Sequence, residues 1–137
     1  MAWVWTQERM INAARGYEEA LCDPDETQSS FSPELGDWEY RPEMDITELG
    51  KKLFGTPEEA LKWLEEEITV FDEDGLDFRS NDFRSMLVDP IKEEIIIGNS
   101  EDGMELWDGT HRVAAAYAKN KKCPAIIGTR NSNKTLL

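Results

Sequence analysis

Between Glu94 and Gly128 the chain passes through an apolar β-branched run, a turn, a glycine break, an amphipathic stretch and a second apolar run, an order that few folds accommodate. Ile95-Ile96-Ile97 has the pattern of a strand covered on both faces and predicts a strand over 94–98. Asn99-Ser100-Glu101-Asp102-Gly103 is turn chemistry, so Met104 to Trp107 reads as the returning strand. Asp108-Gly109-Thr110 breaks that strand. Over 110–119, Val113, Ala116 and Tyr117 share one helical face, and Asn120 suits a left-handed C-cap. Cys123 to Ile127 reads as the next strand, ended by Gly128. A strand, a tight glycine turn, a short helix and a strand predict a right-handed crossover with 104–107 and 124–127 parallel. The fold class expected is α+β: a small mixed sheet flanked by helices, with an N-terminal helical extension.

At 137 residues the chain is of single-domain size, with a helix-rich acidic part (1–86), a motif region (87–128) and a basic tail (129–137). Thr6 can cap a helix over 5–21, where Met10, Ala13, Ala14 and Tyr17 recur at helical spacing. Asp23 to Asp37 reads as a loop rich in Ser, Pro and Gly. Trp38 to Met44 reads as a short extended segment weakened by Pro42, and Ile46 to Phe54 as a helix ending at Gly55. Thr56-Pro57-Glu58-Glu59 is a cap, a first-turn proline and a capping-box acid, opening a helix over 57–68. The tandem Asp77-Phe78-Arg79-Ser80 and Asp82-Phe83-Arg84-Ser85 has a period of five, which fits neither helix nor strand and predicts two local turns with Phe anchors. Arg79 or Arg84 reaching a bound anion is the alternative for that segment. The acids of 71–75 lack the ligand spacing of a calcium loop.

Cys22 and Cys123 stand far apart with no second Cys or His at ligand spacing, so free thiols are expected and no metal site. No apolar run approaches the roughly 20 residues of a membrane span, and Met1 to Trp5 lacks the basic start of a signal peptide. The expectation is a cytoplasmic protein without membrane contact.

The net charge of −14 is unevenly spread. All 29 acids and nine of the 15 Lys and Arg fall in 1–108, a net −20, while the other six basic residues give 109–137 a net +6. Duplex DNA meets repulsion from the first segment, whereas a small anion responds to the second within a Debye length of about 8 Å. No direct duplex-DNA binding is expected. Glu58, Glu59, Glu65, Glu66 and Glu67 of the 57–68 helix read most simply as a solvated face, and a surface for a basic protein partner is the sharper alternative.

The basic segment begins at a helix N-terminus, where unpaired backbone N–H groups and the helix dipole favour an anion. Gly109 permits close approach, Thr110 brings a hydroxyl, His111 is the chain's single histidine, and Arg112 offers a guanidinium fork. A structural turn with a surface histidine is the plainer alternative.

The residues Trp107-Asp108-Gly109-Thr110-His111-Arg112-Val113-Ala114-Ala115-Ala116, followed by Lys121-Lys122-Cys123-Pro124-Ala125-Ile126-Ile127, resemble the signature of the ParB/sulfiredoxin-like superfamily. Asp89-Pro90-Ile91 and Ile95–Ile97 fit as well, so the resemblance covers about 87–128 and leaves 1–86 unmatched. It implies a nucleotide- or phosphate-binding fold, with Gly109, Thr110, His111 and Arg112 as the phosphate cradle and ATP or CTP with Mg²⁺ as cofactors. Relatives hydrolyse CTP, reduce sulfinic acids with ATP, phosphorylate free serine, or are described as nucleases. Thr110 stands where sulfiredoxins carry their catalytic cysteine, which argues against sulfinic acid reduction. The nine residues after Gly128 supply neither of the domains that follow in segregation ParB proteins. An acidic base like that of the kinase branch has only Asp45 and Glu48 as candidates.

Three function classes follow. An enzyme hydrolysing a nucleotide or transferring its phosphoryl group would use Asp108, His111 and Arg112 as catalytic residues. A phosphate-sensing module would bind without turnover. A phage or mobile-element protein would use the acidic surface to bind and inhibit a nucleic-acid-processing host protein.

Overall fold

The computed structural model describes residues 4–20, 31–101 and 103–134, with the backbone alone for 17–20. Thr6 opens α1 (Gln7–Ala20), its hydroxyl accepting from the Arg9 N–H at 3.2 Å. A single 3-10 turn over Pro33–Leu35 leads into β1 (Gly36–Met44), and α2 (Thr47–Phe54) ends on Gly55 at φ 86°. Then come α3 (Pro57–Glu73), α4 (Asp77–Val88), β2 (Ile95–Ser100), β3 (Gly103–Asp108), α5 (Thr110–Lys119) and β4 (Cys123–Arg130). The class is α+β, with an N-terminal helix, further helices and one mixed four-stranded sheet.

Strand order in the sheet is β1-β4-β2-β3. β2 pairs antiparallel with β3, Ile97 opposite Leu106, and parallel with β4, Ile96 opposite Ile126. This corrects the expected crossover. Strands 104–107 and 124–127 share the sheet but run antiparallel with β2 between them, and the parallel partner of β4 is β2. The physical reason is the reversal of direction between Ser100 and Gly103, which face each other in the β2/β3 ladder. The strand leading into the helix therefore points opposite to Ile95–Ile97, and the apolar runs Ile95–Ile97 and Ala125–Ile127 take the buried parallel position.

The chain groups into two compact units that cut across the stretches 1–86, 87–128 and 129–137. The first comprises 1–41, 95–108 and 125–137. Its core gathers Met10, Ala14, Phe31, Trp38, Ile96, Trp107 and Ile126. Trp107 lies 4.9 Å from Phe31 and 5.7 Å from Trp38, ring centre to ring centre. Two glycines make room for these indoles, since a Cβ on Gly98 would stand 2.4 Å from Trp107 and one on Gly128 2.5 Å from Trp38. Both strands therefore continue through their glycine, to Ser100 and Arg130, where the sequence suggested they would stop. Gln7 reaches from α1 to β1: its carbonyl accepts from the Trp38 N–H at 2.8 Å and its amide donates to the Trp38 carbonyl. Of the basic tail, Lys134 pairs with Asp37 at 3.0 Å and Arg130 donates to the carbonyls of Leu35, Asn131 and Lys134.

The second unit comprises 42–94 and 109–124, where α3 packs on α4 and α5 and α2 packs on α3 and α5. Val113 and Ala114–Ala116 are fully buried, small side chains that let helices approach closely. The Tyr117 ring lies over Gly50, whose missing Cβ would fall 2.3 Å from Cγ, and its hydroxyl donates to the Gly55 carbonyl at 2.6 Å. Thr56 caps α3 as its sequence requires, accepting from Glu59 N–H at 3.1 Å.

The tandem of period five is a correction too: both copies lie in the one helix α4. Five residues turn a helix by about 500°, so equivalent positions point about 140° apart. Phe83 is accordingly 3% exposed and Phe78 74%. Ser80 is buried, donating to Asp72, while Ser85 is exposed. Arg84 pairs with Asp72, and Arg79 lies over the Phe71 ring. Cys123 is a buried free thiol; Cys22 and most of the expected 23–37 loop lie outside the described residues. Among the described residues no helix is long and apolar enough to cross a membrane.

Candidate functional site

Gly109 starts α5 in the left-handed region, φ 108° and ψ 31°, a conformation that glycine adopts without the Cβ penalty. No side chain caps this end, and the first intrahelical bond runs from Val113 N–H to the Gly109 carbonyl at 2.9 Å. The Thr110, His111 and Arg112 amides thus have no intrahelical acceptor, as at any helix start. Asn120 closes the helix in the left-handed region, as its sequence suggested.

The two ionisable residues of the first turn take different partners. His111 Nε2 lies 3.1 Å from Glu67 Oε1 on α3, and its ring stacks on Phe83 of α4 with centres 4.1 Å apart and planes 4° from parallel. Trp63, 5.0 Å away, flanks the same ring. Burial among these rings pushes the His111 pKa below its ordinary value, Arg79 and Arg112 add to that, and Glu67 opposes it. His111 therefore tends to the neutral form, which conflicts with an imidazolium donor to phosphate.

Arg112 turns to the segment before β2. Its Nη1 donates to the Glu94 carbonyl at 2.9 Å and its Nη2 to the Glu93 carboxylate at 2.7 Å. The Nε–H is buried without a partner. Nε and Nη2 form the side-on edge of the guanidinium, the edge that takes two oxygens of a carboxylate or phosphate. Glu93 engages only half of it.

Arg112 also lines a cleft of about 310 Å³. Asp82, Ser85, Met86 and Asp89, one stripe of α4 and its end, form one part of the lining; Pro90 to Glu93 and Arg112 form the rest. The sequence did not single out this stripe, because Asp82 and Ser85 were absorbed in the tandem reading; their spacing of three would have revealed it. Lys121 Nζ donates to the Met86 and Asp89 carbonyls at 3.1 and 2.9 Å, so this cation is committed to the end of α4.

Asp108, Asp45 and Glu48 do not line this cleft. Asp108 ends β3 opposite Ile96, in the first unit. Asp45 accepts from the Thr47 N–H and hydroxyl at 2.9 and 2.6 Å, bonds that hold its carboxyl below the usual range and shape the start of α2. Glu48 is exposed, 3.8 Å from Lys51. Among the described residues no three His, Cys, Asp or Glu side chains are grouped to hold a metal ion.

The geometry defines an α+β protein with an arginine-edged cleft beside a helix start. Compared with known proteins, the chain matches no family model, no curated protein and no solved structure.

Proposed function

We propose that this protein binds a phosphate-bearing small molecule on the Nε/Nη2 edge of Arg112. The observation that carries the reading is the buried Nε–H without an acceptor, in a guanidinium already fixed from its other side by the Glu94 carbonyl. A buried donor left unpaired costs about 1–3 kcal/mol, and an oxyanion with two adjacent oxygens removes that cost while satisfying Nη2 as well. The resemblance of the Asp108–Arg112 turn to ParB/sulfiredoxin-like proteins supports phosphate as the anion and a nucleotide, ATP or CTP, as its carrier. Gly109, Thr110 and Arg112 are the binding residues of this proposal; His111 anchors the turn to α3 and α4.

Mg²⁺ is commonly held by one or two carboxylates together with substrate phosphates, and either Asp82 or Asp89 on the cleft wall would supply a carboxylate here. It would neutralise phosphate charge. Hydrolysis or phosphotransfer is the enzymatic form of the proposal.

Titration calorimetry with inorganic phosphate, ATP and CTP, with and without Mg²⁺, tests it. A direct Arg contact to an anion is worth about 1.5–3 kcal/mol, so Arg112→Ala weakens affinity by roughly 10- to 150-fold. Arg112→Lys keeps the charge but loses the fork and also binds more weakly. Unchanged affinity in either folded variant removes Arg112 from the site.

A second reading rests on α3, where Glu58, Glu59, Glu65 and Glu66 are all exposed. This acidic face would bind a basic surface of a nucleic-acid-processing protein. A complex that survives Arg112→Ala but is lost when these four become Gln would favour it.

A further inference from the structure

We infer that Glu93 is a built-in competitor for the Arg112 edge, an intramolecular carboxylate that an incoming oxyanion must displace; the inference rests on the anion-site reading above. The contact is asymmetric. The Arg112 side chain is 20% exposed and held at Nη1 by a backbone carbonyl, whereas the Glu93 side chain is 76% exposed. Between the partners, Glu93 is the one with room to leave.

Its bond is also incomplete. Oε2 meets Nη2 at 2.7 Å, while the neighbouring Nε–H stays buried and unpaired. A carboxylate placed to maximise its own bond to arginine would take both donors. Glu93 comes from the chain segment next to the Glu94 carbonyl that Nη1 binds, and from there it satisfies one donor and leaves the second unpaired. A free oxyanion in the cleft has no such tether. It gains the second bond that Glu93 forgoes, and Glu93 swings into solvent.

The consequence is a constant factor on the affinity of every oxyanion that uses this edge. A solvent-exposed ion pair is favoured by a small factor, so Glu93 occupancy should weaken oxyanion binding about 2- to 6-fold relative to an empty edge. With Asp82 and Asp89 on the same wall, the released carboxylate leaves the cleft less repulsive when it turns outward than when it remains.

The experiment titrates inorganic phosphate into the full chain, Glu93→Gln and Glu93→Ala, following the Arg112 Nε–H resonance by ¹⁵N NMR together with calorimetry. Glu93 is exposed, so both variants should fold as the parent does. The expected result is phosphate affinity about 2- to 6-fold tighter in both variants, with the Nε–H shifting on saturation in all three proteins. Equal or weaker affinity in the variants, with the Nε–H still responding, overturns the competitor role and leaves the anion site standing. An Nε–H that ignores phosphate in every protein overturns both.

Discussion

Replacing Gly98 by alanine puts a methyl group where the Trp107 indole already is. The new Cβ would meet Nε1 and Cε2 at 2.4 Å and Cζ2 at 2.5 Å, against an ordinary carbon contact of about 3.5–4.0 Å. The ring must retreat by about 1 Å, yet Phe31 and Trp38 close the space around it and it is itself buried. Overpacking of this kind costs about 1–3 kcal/mol, and the reduced freedom of the unfolded chain returns about 0.4–1 kcal/mol. The expected net loss is up to about 2.6 kcal/mol, read as a lower urea midpoint with an unchanged slope. Trp107→Leu removes the clashing ring atoms and the buried indole N–H that has no partner. In that background Gly98→Ala should cost at least about 1 kcal/mol less, the signature of a direct pair. Equal cost in both backgrounds, or a stabilised single variant, would show that Trp107 does not press on this strand.

Two further outcomes follow from the half-buried His111 and the buried Cys123. Because folding lowers the His111 pKa, stability should be full above about 6.5, the ordinary histidine value, and fall as pH drops through it toward the folded value; His111→Phe should flatten that part of a urea-midpoint profile measured from pH 7.5 to 5.5. Burial pushes the Cys123 thiol up to about 12, so in a Cys22→Ser background an aromatic disulfide reagent should label Cys123 only at the rate of unfolding, and fast labelling of folded protein would refute its burial.

Features written in local residue chemistry were legible in the sequence: the Thr6 and Thr56 caps, the Gly109 start, the Asn120 stop and the Ile95–Ile97 strand. What escaped it depended on partners distant in the chain. Gly98 and Gly128 read as strand ends because a glycine usually weakens a strand; nothing near either announces the tryptophan that fills its place. The period of five hid α4, since sequence identity between the copies suggested equal roles, while helical rotation buried Phe83 and exposed Phe78. The parallel partner of β4 was missed because adjacency in sequence favoured β3, whereas the hairpin had already reversed direction. At the candidate site, Arg112 was visible from its place in the turn. Its engagement by Glu93 and Glu94, and the departure of His111 toward Glu67, depend on helix packing that no local spacing encodes.

The sheet order leaves β1 at one margin, and a strand there offers its backbone to any other chain that can pair with it. Gln7 answers for one residue of that margin: its primary amide presents a carbonyl and an N–H to Trp38, the same two groups a neighbouring strand would bring. The side chain acts as one rung of a strand that is not there. Pairing of two copies through β1 is thus opposed in part by a helix residue, and Gln7→Ala would give Trp38 back to the first copy of the chain able to add itself to the sheet.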